Sequence, residues 1–118
     1  MLVEARLPLL APDAKFGFNE FSRRAGDFAI AAALVTYRLA NGKIADARVG
    51  VGGAEPFPRR IAAAEAALNG KAPSDATFRA AAEAAAAAVD PLEDHQTSGD
   101  YRRDLVRAVV RRALEHSA

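Results

Sequence analysis

The segment "SRRAGDF", residues 22–28, brings together side chains that could bind an anionic or π-rich ligand. Arg23 and Arg24 are permanent cations suited to anionic or π-rich groups. Asp27 is a hydrogen-bond acceptor, and Phe28 places a flat apolar ring directly beside it. We consider these four residues a candidate binding site at the start of the longest apolar run of the chain.

The same segment also has the composition of an ordinary turn. Gly26 supplies backbone freedom, and Asp27 can accept hydrogen bonds from nearby amides. The residues alone leave both interpretations open.

The rest of the chain offers weaker candidates, and we predict neither a catalytic residue nor a metal site. His95 and His116 are far apart, and the "EDH" cluster at 93–95 lacks the three or four convergent ligands of a closed metal site. The "GVGG" stretch at 50–53 lacks the G-x-G-x-x-G spacing of a phosphate-binding loop, so we interpret it as a strand that ends in a turn.

Composition narrows the function classes. The chain has 118 residues, a net charge of +1 and no cysteine. This length suits one domain, residues 1–118, but is short for a self-sufficient cofactor enzyme. The near-neutral net charge does not favour binding to nucleic acid. No apolar run is long enough to span a membrane, and the start of the chain does not resemble a signal peptide. We therefore expect a cytoplasmic location.

The amino-terminal half has the patterns of β-strands, and Asn41-Gly42 favours a tight hairpin. The expected strands lie around Val3–Leu7 and over Lys15–Phe21, Ala29–Leu39 and Lys43–Val51.

The carboxy-terminal half is rich in alanine and has helical patterns. The expected helices are Arg59–Leu68, Asp75–Val89 and about Asp100–His116, with Asn69-Gly70 ending the first and Ser74 and Ser98 capping the other two. The small side chains of the second helix would let it lie close to the sheet or to another helix. Strands followed by helices predict an α+β fold: a small antiparallel sheet of three to four strands with three helices packed on it, a two-layer sandwich.

Arg102 does not fit the pattern of the last helix. It lies near the middle of the apolar face and in the first turn, where the helix dipole disfavours a cation. Either its side chain extends to water, or a carboxylate or a partner surface lies opposite it. We expect Arg103, Arg107 and Arg111, which lie off this face, to be solvated.

Three stretches together resemble one known family. "EFSRRAGDFAIAAA", "VGVGGAEPFPRRIAAAEAAL" and "VDPLEDHQTSGDYRRDLVRAVVRRAL" are similar to the C-terminal domain of the FAD-binding medium subunit of molybdenum hydroxylases. This family includes bacterial carbon monoxide dehydrogenase and the flavin portion of xanthine dehydrogenase. The similarity runs from about Glu4 to Leu114, and the family fold is a small antiparallel sheet followed by three helices.

The resemblance implies a role in electron transfer. In the family, electrons pass from a molybdenum–pterin centre through two 2Fe-2S clusters to FAD and then to an acceptor. The implied partners are a molybdenum subunit, an iron–sulfur subunit and a larger N-terminal domain that holds most of the FAD. The C-terminal domain closes over the isoalloxazine ring, and a homo-oligomer is also possible.

The family motif R-R-x-x-D-(aromatic or Ile)-A assigns roles within "RRAGDFA". By resemblance, Phe28 lies against the flavin ring and Asp27 beside it, while Arg23 and Arg24 line the approach of the electron acceptor. Tyrosine is common where this chain has Phe28, so a hydroxyl contact to the flavin is lost. The Tyr101-Arg102 pair is another family feature and implies that Arg102 is buried and paired.

The family's FAD-phosphate motifs are absent from these 118 residues. We therefore expect the isolated chain to be inactive and to share FAD with a separate or missing N-terminal domain. The alternative is a scaffold or oligomerisation module that has lost its flavin-binding half.

Overall fold

A computed structural model describes residues 12–22, 30–93 and 98–117 of the chain. The elements in order are β1 (Lys15–Phe21), β2 (Ala31–Ala40), β3 (Lys43–Gly52), β4 (Arg59–Arg60), α1 (Ala62–Leu68), α2 (Asp75–Ala88) and α3 (Gly99–Glu115). The strands form one antiparallel sheet in the order β1-β2-β3-β4. The predicted α+β class is confirmed, whereas the strand expected around Val3–Leu7 lies outside the described residues.

The hairpin between β2 and β3 forms where Asn-Gly predicted it. Asn41 and Gly42 have φ angles of 54° and 77°. Positive φ at both central residues matches the twist of the flanking strands, and asparagine and glycine tolerate it better than other residues. This turn sets the pairing nearest the hairpin, and the register then shifts by one residue at an irregularity between Thr36 and Arg38.

The alternation of the strands gives the sheet one covered face and one open face. Ala31, Ala33, Val35 and Tyr37 of β2 point toward the helices and are buried, as are Val49 and Val51 of β3. They pack against the apolar face of α3, whose buried members are Val106, Val109, Val110, Ala113 and Leu114. The opposite side, which we call the outer face, carries Phe16, Phe18, Leu34, Gly50 and Gly52.

The first predicted helix begins too early. Arg59 and Arg60 are not helical; they form β4 and pair with Val51 and Gly50 of β3. The amide of Ile61 then donates to the carbonyl of Val49 at 2.8 Å, so the helix begins only after this last contact with the sheet. Sheet pairing overrides helix propensity here.

Among the described elements, helix α2 packs on α1 and α3 and not on the sheet. Of the two alternatives that its small side chains allow, the structure shows packing on helices. Its buried residues are Ala81, Ala82, Ala85 and Ala86. Two arginines of α3 hold it there: Arg103 donates to the Ala86 carbonyl, and Arg107 Nε lies 2.8 Å from Glu83 Oε1. The prediction that Arg103 and Arg107 are merely solvated is therefore wrong.

Helix α1 covers the edge of β3. The Asn69 side-chain oxygen accepts from the Ala47 amide and Glu65 Oε2 accepts from the Val49 amide, each at 2.9 Å. These bonds satisfy amides that an edge strand would otherwise leave open for another strand.

The turn between β3 and β4 is fastened through Glu55. Its carboxylate accepts from Arg59 Nε at 2.6 Å and from the Asp90 amide at 2.7 Å, and Arg59 also donates to the Ala88 carbonyl at 3.0 Å. The turn is thereby tied to the end of α2. The hydrogen bond from Arg59 holds the pKa of Glu55 below its ordinary value.

Gly17→Ala should destabilise the protein because β1 passes close to α3 at this point. A methyl group built on Gly17 would overlap the backbone carbonyl of Ala113, which cannot move without shifting the helix. We expect the free energy of unfolding in urea to fall by about 2–3 kcal/mol. Gly50→Ala is the matched control: the nearest atom to its new methyl is 3.8 Å away, so the change should stay within about 0.5 kcal/mol. Equal losses in the two variants would contradict the close approach.

Glu55→Gln should alter how stability depends on pH. A carboxyl group whose pKa is lowered by folding stabilises the protein above its unfolded pKa, and this contribution disappears as the pH falls through the folded pKa. At pH 7 we expect the variant to be less stable by about 1–2 kcal/mol, with the difference shrinking as the pH falls from about 5 to about 3. Urea unfolding across this range measures it. Glu20→Gln, at an exposed carboxylate on the outer face, should run parallel to the unmodified protein. A constant difference between Glu55→Gln and the unmodified protein at all pH values would contradict the assignment.

Candidate functional site

The candidate "RRAGDF" segment connects β1 to β2 at one end of the sheet. Phe21 pairs with Ala31, and the amide of Ile30 donates to the Phe21 carbonyl at 2.8 Å. One step into the sheet, Ala32 pairs with Gly52 near the end of β3. The β1–β2 connection and the β3–β4 turn therefore leave the sheet at the same end.

The four sequence-predicted site residues lie outside the described residues. Arg23, Arg24, Asp27 and Phe28 all fall within 23–29, which the structure does not describe. Their proximity to a flavin stays a prediction, whereas the surroundings of their connection can be examined directly.

The first turn of α3 contacts the end of β1 and the β3–β4 turn. Ser98 caps the helix by accepting from the Tyr101 amide at 3.1 Å. The Tyr101 ring lies edge-to-face against Phe21, with centroids 6.5 Å apart and planes at 87°. Arg102 Nη1 donates to the carbonyl of Gly53 at 3.0 Å.

Arg102 is 8% exposed, so the prediction that its side chain extends to water is wrong and the prediction of a buried, paired arginine is confirmed. At least one of its partners is a backbone carbonyl, that of Gly53. A carbonyl bonded to a guanidinium offsets part of the cost of burying the charge. The same bond holds the β3–β4 turn in place.

A groove with a volume of about 370 Å³ runs along the outer face beside this end of the sheet. In one row across the strands, Phe18 pairs with Leu34, Leu34 with Gly50, and Gly50 with Arg60. Because Gly50 and Gly52 carry no side chains, the groove lies between the apolar residues of β1 and β2 on one side and Pro58 on the other. Phe18 and Leu34 are 53% and 51% exposed, so this apolar surface is open to solvent.

The cations at the rim of the groove are already neutralised. Arg59 pairs with Glu55 at 2.6 Å, and Arg60 donates from Nε and Nη2 to Glu65 at 2.9 Å each. Gly50–Gly52 belong to β3 and lead into a turn and β4, not into a helix N-terminus. The geometry suits an apolar or planar group and does not form a phosphate cradle, which agrees with the interpretation of "GVGG" as a strand end.

Sequence reasoning missed the groove and the contact between Phe21 and Tyr101. The signal for the groove was present: in "VGVG" the glycines alternate with buried valines, which places both glycines on the open face. The contact of Tyr101 joins residues 80 positions apart, so no local pattern indicates it.

Among the residues that the structure describes, no group of three histidines, cysteines or acids could hold a metal ion. His95 of the "EDH" cluster is outside them, and Glu93 accepts from the Gly99 amide at 3.0 Å. In the same ranges, no helix combines the length and apolar character that crossing a bilayer requires.

Arg102→Met should loosen the contact between α3 and the β3–β4 turn. The variant keeps much of the side-chain volume but removes the donor, leaving the Gly53 carbonyl without this bond. We expect the free energy of unfolding in urea to fall by about 2 kcal/mol. Arg112→Met, at an exposed position of the same helix, should change it by less than about 0.5 kcal/mol. If both variants were equally stable, the buried hydrogen bond would contribute nothing measurable.

Comparison with known proteins supports the resemblance found in the sequence. The family model described as the CO dehydrogenase flavoprotein C-terminal domain matches residues 16–117. The nicotine 6-hydroxylase medium subunit of Paenarthrobacter nicotinovorans is 37% identical over 99 residues, which are 84% of this chain and 35% of that protein. The carbon monoxide dehydrogenase medium chain of Hydrogenophaga pseudoflava is 30% identical over 114 residues, 97% of this chain and 40% of that protein.

Solved structures share the fold. Carbon monoxide dehydrogenase from Hydrogenophaga pseudoflava, lacking the Mo-pyranopterin moiety of its cofactor, superposes with a TM-score of 0.86 and 34% identity over 92% of this chain and 38% of that chain. Quinoline 2-oxidoreductase from Pseudomonas putida 86 gives a TM-score of 0.81 and 30% identity over 88% of this chain and 36% of that chain. The chain thus spans 35–40% of the length of these relatives. It belongs to the CO dehydrogenase flavoprotein C-terminal domain family, found in the medium subunits of molybdenum hydroxylases.

Proposed function

We propose that this chain is the flavin-capping domain of a molybdenum-hydroxylase-type oxidoreductase, in which FAD passes electrons from iron–sulfur clusters to an acceptor. The observation that carries the proposal is the family match over residues 16–117, with relatives that are medium subunits of hydroxylases and dehydrogenases. The chain contributes position rather than chemistry: it shields the flavin and shapes access to it.

The described residues suit contact with the isoalloxazine ring of FAD but not with its pyrophosphate. The end of the sheet that bears "RRAGDF" offers an apolar groove floored by Gly50 and Gly52, which suits contact with a planar ring. Among the described residues, this end has no helix N-terminus preceded by a glycine-rich loop, and both arginines at the groove rim, Arg59 and Arg60, are paired rather than available for the pyrophosphate. This division supports a domain that covers the isoalloxazine while another polypeptide holds the phosphates.

Within the undescribed segment, Phe28 and Asp27 would contact the ring, and Arg23 and Arg24 would line the path of the acceptor. FAD supplies the capacity to accept electron pairs and release them singly or in pairs. Phe28 would exclude water from the ring, and Asp27 would accept a hydrogen bond at its edge. The contact between Tyr101 and Phe21 supports this arrangement because it holds the last residue of β1, directly before the segment.

The proposal includes the partners that the family resemblance implies. A molybdenum–pterin subunit, an iron–sulfur subunit and an FAD-binding N-terminal domain would complete the enzyme, in the cytoplasm. By the family resemblance, the substrate would be selected by the molybdenum subunit.

Phe28→Ala in the assembled enzyme should change the rates of flavin reduction and reoxidation by about tenfold, because the ring would lose its apolar cover and its fixed position. Stopped-flow absorbance of the flavin measures both rates, and flavin fluorescence gives an independent measure of water access. Phe57→Ala is the matched control, since Phe57 is 79% exposed on the β3–β4 turn.

If Phe28→Ala left the flavin reduction and reoxidation rates and the flavin fluorescence unchanged, the assignment of Phe28 to the flavin site would be contradicted. If, in addition, this chain failed to alter the fluorescence of an FAD-loaded N-terminal domain, the capping role would be contradicted and the scaffold alternative would replace it.

A further inference from the structure

We propose that Arg102 is a positioning residue for the flavin, and that it acts through the Gly53 carbonyl and the β3–β4 turn without touching the ring. The inference rests on the proposed function and deepens it by naming a residue that sets the shape of the groove. Arg102 belongs to α3, which packs on the inner face of the sheet, whereas the groove lies on the outer face. Its effect on the flavin therefore passes through the backbone.

The β3–β4 turn provides one wall of the groove. Pro58, near the end of this turn, lines the groove on the side opposite Phe18 and Leu34. A methyl group built on Gly52 would lie 3.7 Å from Pro58 Cβ, so the wall stands directly beside the floor. Because the floor belongs to β3 and the wall to the turn, the width of the groove depends on where the turn is held.

Hydrogen bonds tie the turn to the segment that follows α2. The amide of Leu92 donates to the Ala54 carbonyl at 2.8 Å, and the amide of Asp90 donates to Glu55 at 2.7 Å. Among the described elements, α2 packs on the other helices and not on the sheet. These bonds therefore fasten the turn to a helix connection and do not by themselves fix it relative to β3.

Arg102 links the turn to a helix that does pack on the sheet. Helix α3 lies on β1 and β2, and Arg102 Nη1 donates to the Gly53 carbonyl at 3.0 Å. The end of the turn is anchored by the pairing of Arg59 with Val51, and Arg102 anchors its beginning. The wall of the groove is thus held between two fixed points.

The conformation of Gly53 makes this anchor important. Its φ angle is 82°, in the left-handed region that glycine adopts readily and other residues adopt at a cost. Glycine also has the greatest backbone freedom, so the direction of its carbonyl depends on a fixed donor. A guanidinium supplies rigid, permanently charged donors for this purpose.

The environment of Arg102 indicates a role in geometry. Its burial and its place in the first turn of α3 both disfavour a cation, because water is excluded and the helix dipole is positive there. The other buried side chains of α3 are apolar. A local departure of this kind is typical of residues that hold a functional site in one arrangement.

The test compares Arg102→Met with Gly17→Ala in the assembled enzyme. Both substitutions are expected to destabilise the fold, but Gly17 lies against Ala113, near the other end of α3. Gly17→Ala therefore controls for a loss of stability that leaves the turn in place. Arg102→Lys keeps the charge and a donor, and serves as the conservative variant.

Two measurements are made on each preparation. Hydrogen–deuterium exchange of the Leu92 and Asp90 amides, which donate to the turn, reports the turn independently of the flavin. Stopped-flow absorbance reports the rates of flavin reduction and reoxidation.

We expect exchange at these two amides to accelerate by at least about tenfold in Arg102→Met, because the turn loses one of its anchors. The flavin rates should change by at least about fivefold, because a small displacement of a positioning group has a large effect on rate. Arg102→Lys should recover more than half of each change on a logarithmic scale. Gly17→Ala should stay within about twofold of the unmodified enzyme in both measurements.

Gly53→Ala perturbs the same hydrogen bond from the acceptor side, because alanine disfavours a φ angle of 82°. If Arg102 acts through this carbonyl, the double variant should exceed the larger single effect on the flavin rates by no more than about twofold. Should Arg102→Met fail to assemble, the Gly53→Ala and Arg102→Lys enzymes still carry both measurements.

The outcomes separate this inference from the proposed function. Equal changes in the flavin rates of Arg102→Met and Gly17→Ala would show that the rates follow stability, and would overturn the inference. Faster exchange with unchanged flavin rates would also overturn it, while the capping role would stand if Phe28→Ala alters those rates. Effects that multiply in the double variant would show that Arg102 does not act through Gly53. If neither Arg102→Met nor Phe28→Ala altered the flavin rates, the inference and the proposed function would both be contradicted.

Discussion

A sheet has two faces, and this chain provides helices for one of them. Helices α1 and α3 bury the inner face, and α2 completes that layer from outside by packing on the other two helices. Since the hydrophobic effect favours removing apolar surface from water, a side that exposes Phe16, Phe18 and Leu34 is an incomplete arrangement. The described helices therefore cover one face of the sheet and leave the other open, and the chain spans 35–40% of the lengths of the relatives that it matches.

Helix α3 links this architecture to the candidate site. Its middle and end bury valines against the sheet, and it approaches β1 so closely that position 17 accommodates only glycine. Its first turn reaches the other end of the sheet, where Tyr101 contacts Phe21 and Arg102 holds the Gly53 carbonyl. The helix that forms the core thus also holds the end of β1 and the β3–β4 turn.

Local patterns predicted most of the fold. Asn41-Gly42 predicted the hairpin, and Ser74 and Ser98 predicted the starts of two helices. Alternation predicted β1 with the same first and last residues that the structure shows. The errors arose where tertiary contacts override propensity. Arg59 and Arg60 are good helix formers, but pairing with β3 keeps them extended.

The candidate site was less accessible to sequence reasoning, because its contacts are long-range. The burial of Arg102 depends on a carbonyl 49 positions away, and the apolar pattern of the helix indicated only that the arginine was out of place. The groove arises from glycines whose partners lie on other strands, so it is visible only once the register is known. The roles of Arg23, Arg24, Asp27 and Phe28 come from family resemblance alone and stay a proposal.

The measurement that tests the central claim most directly is the native mass and cofactor content of the protein purified from its source. The account predicts these residues in a species far larger than 12.4 kDa, with extractable FAD and with molybdenum and iron in the same fractions. A colourless species of 12.4 kDa without flavin or metal would contradict it, and "RRAGDF" would then be a turn between two strands.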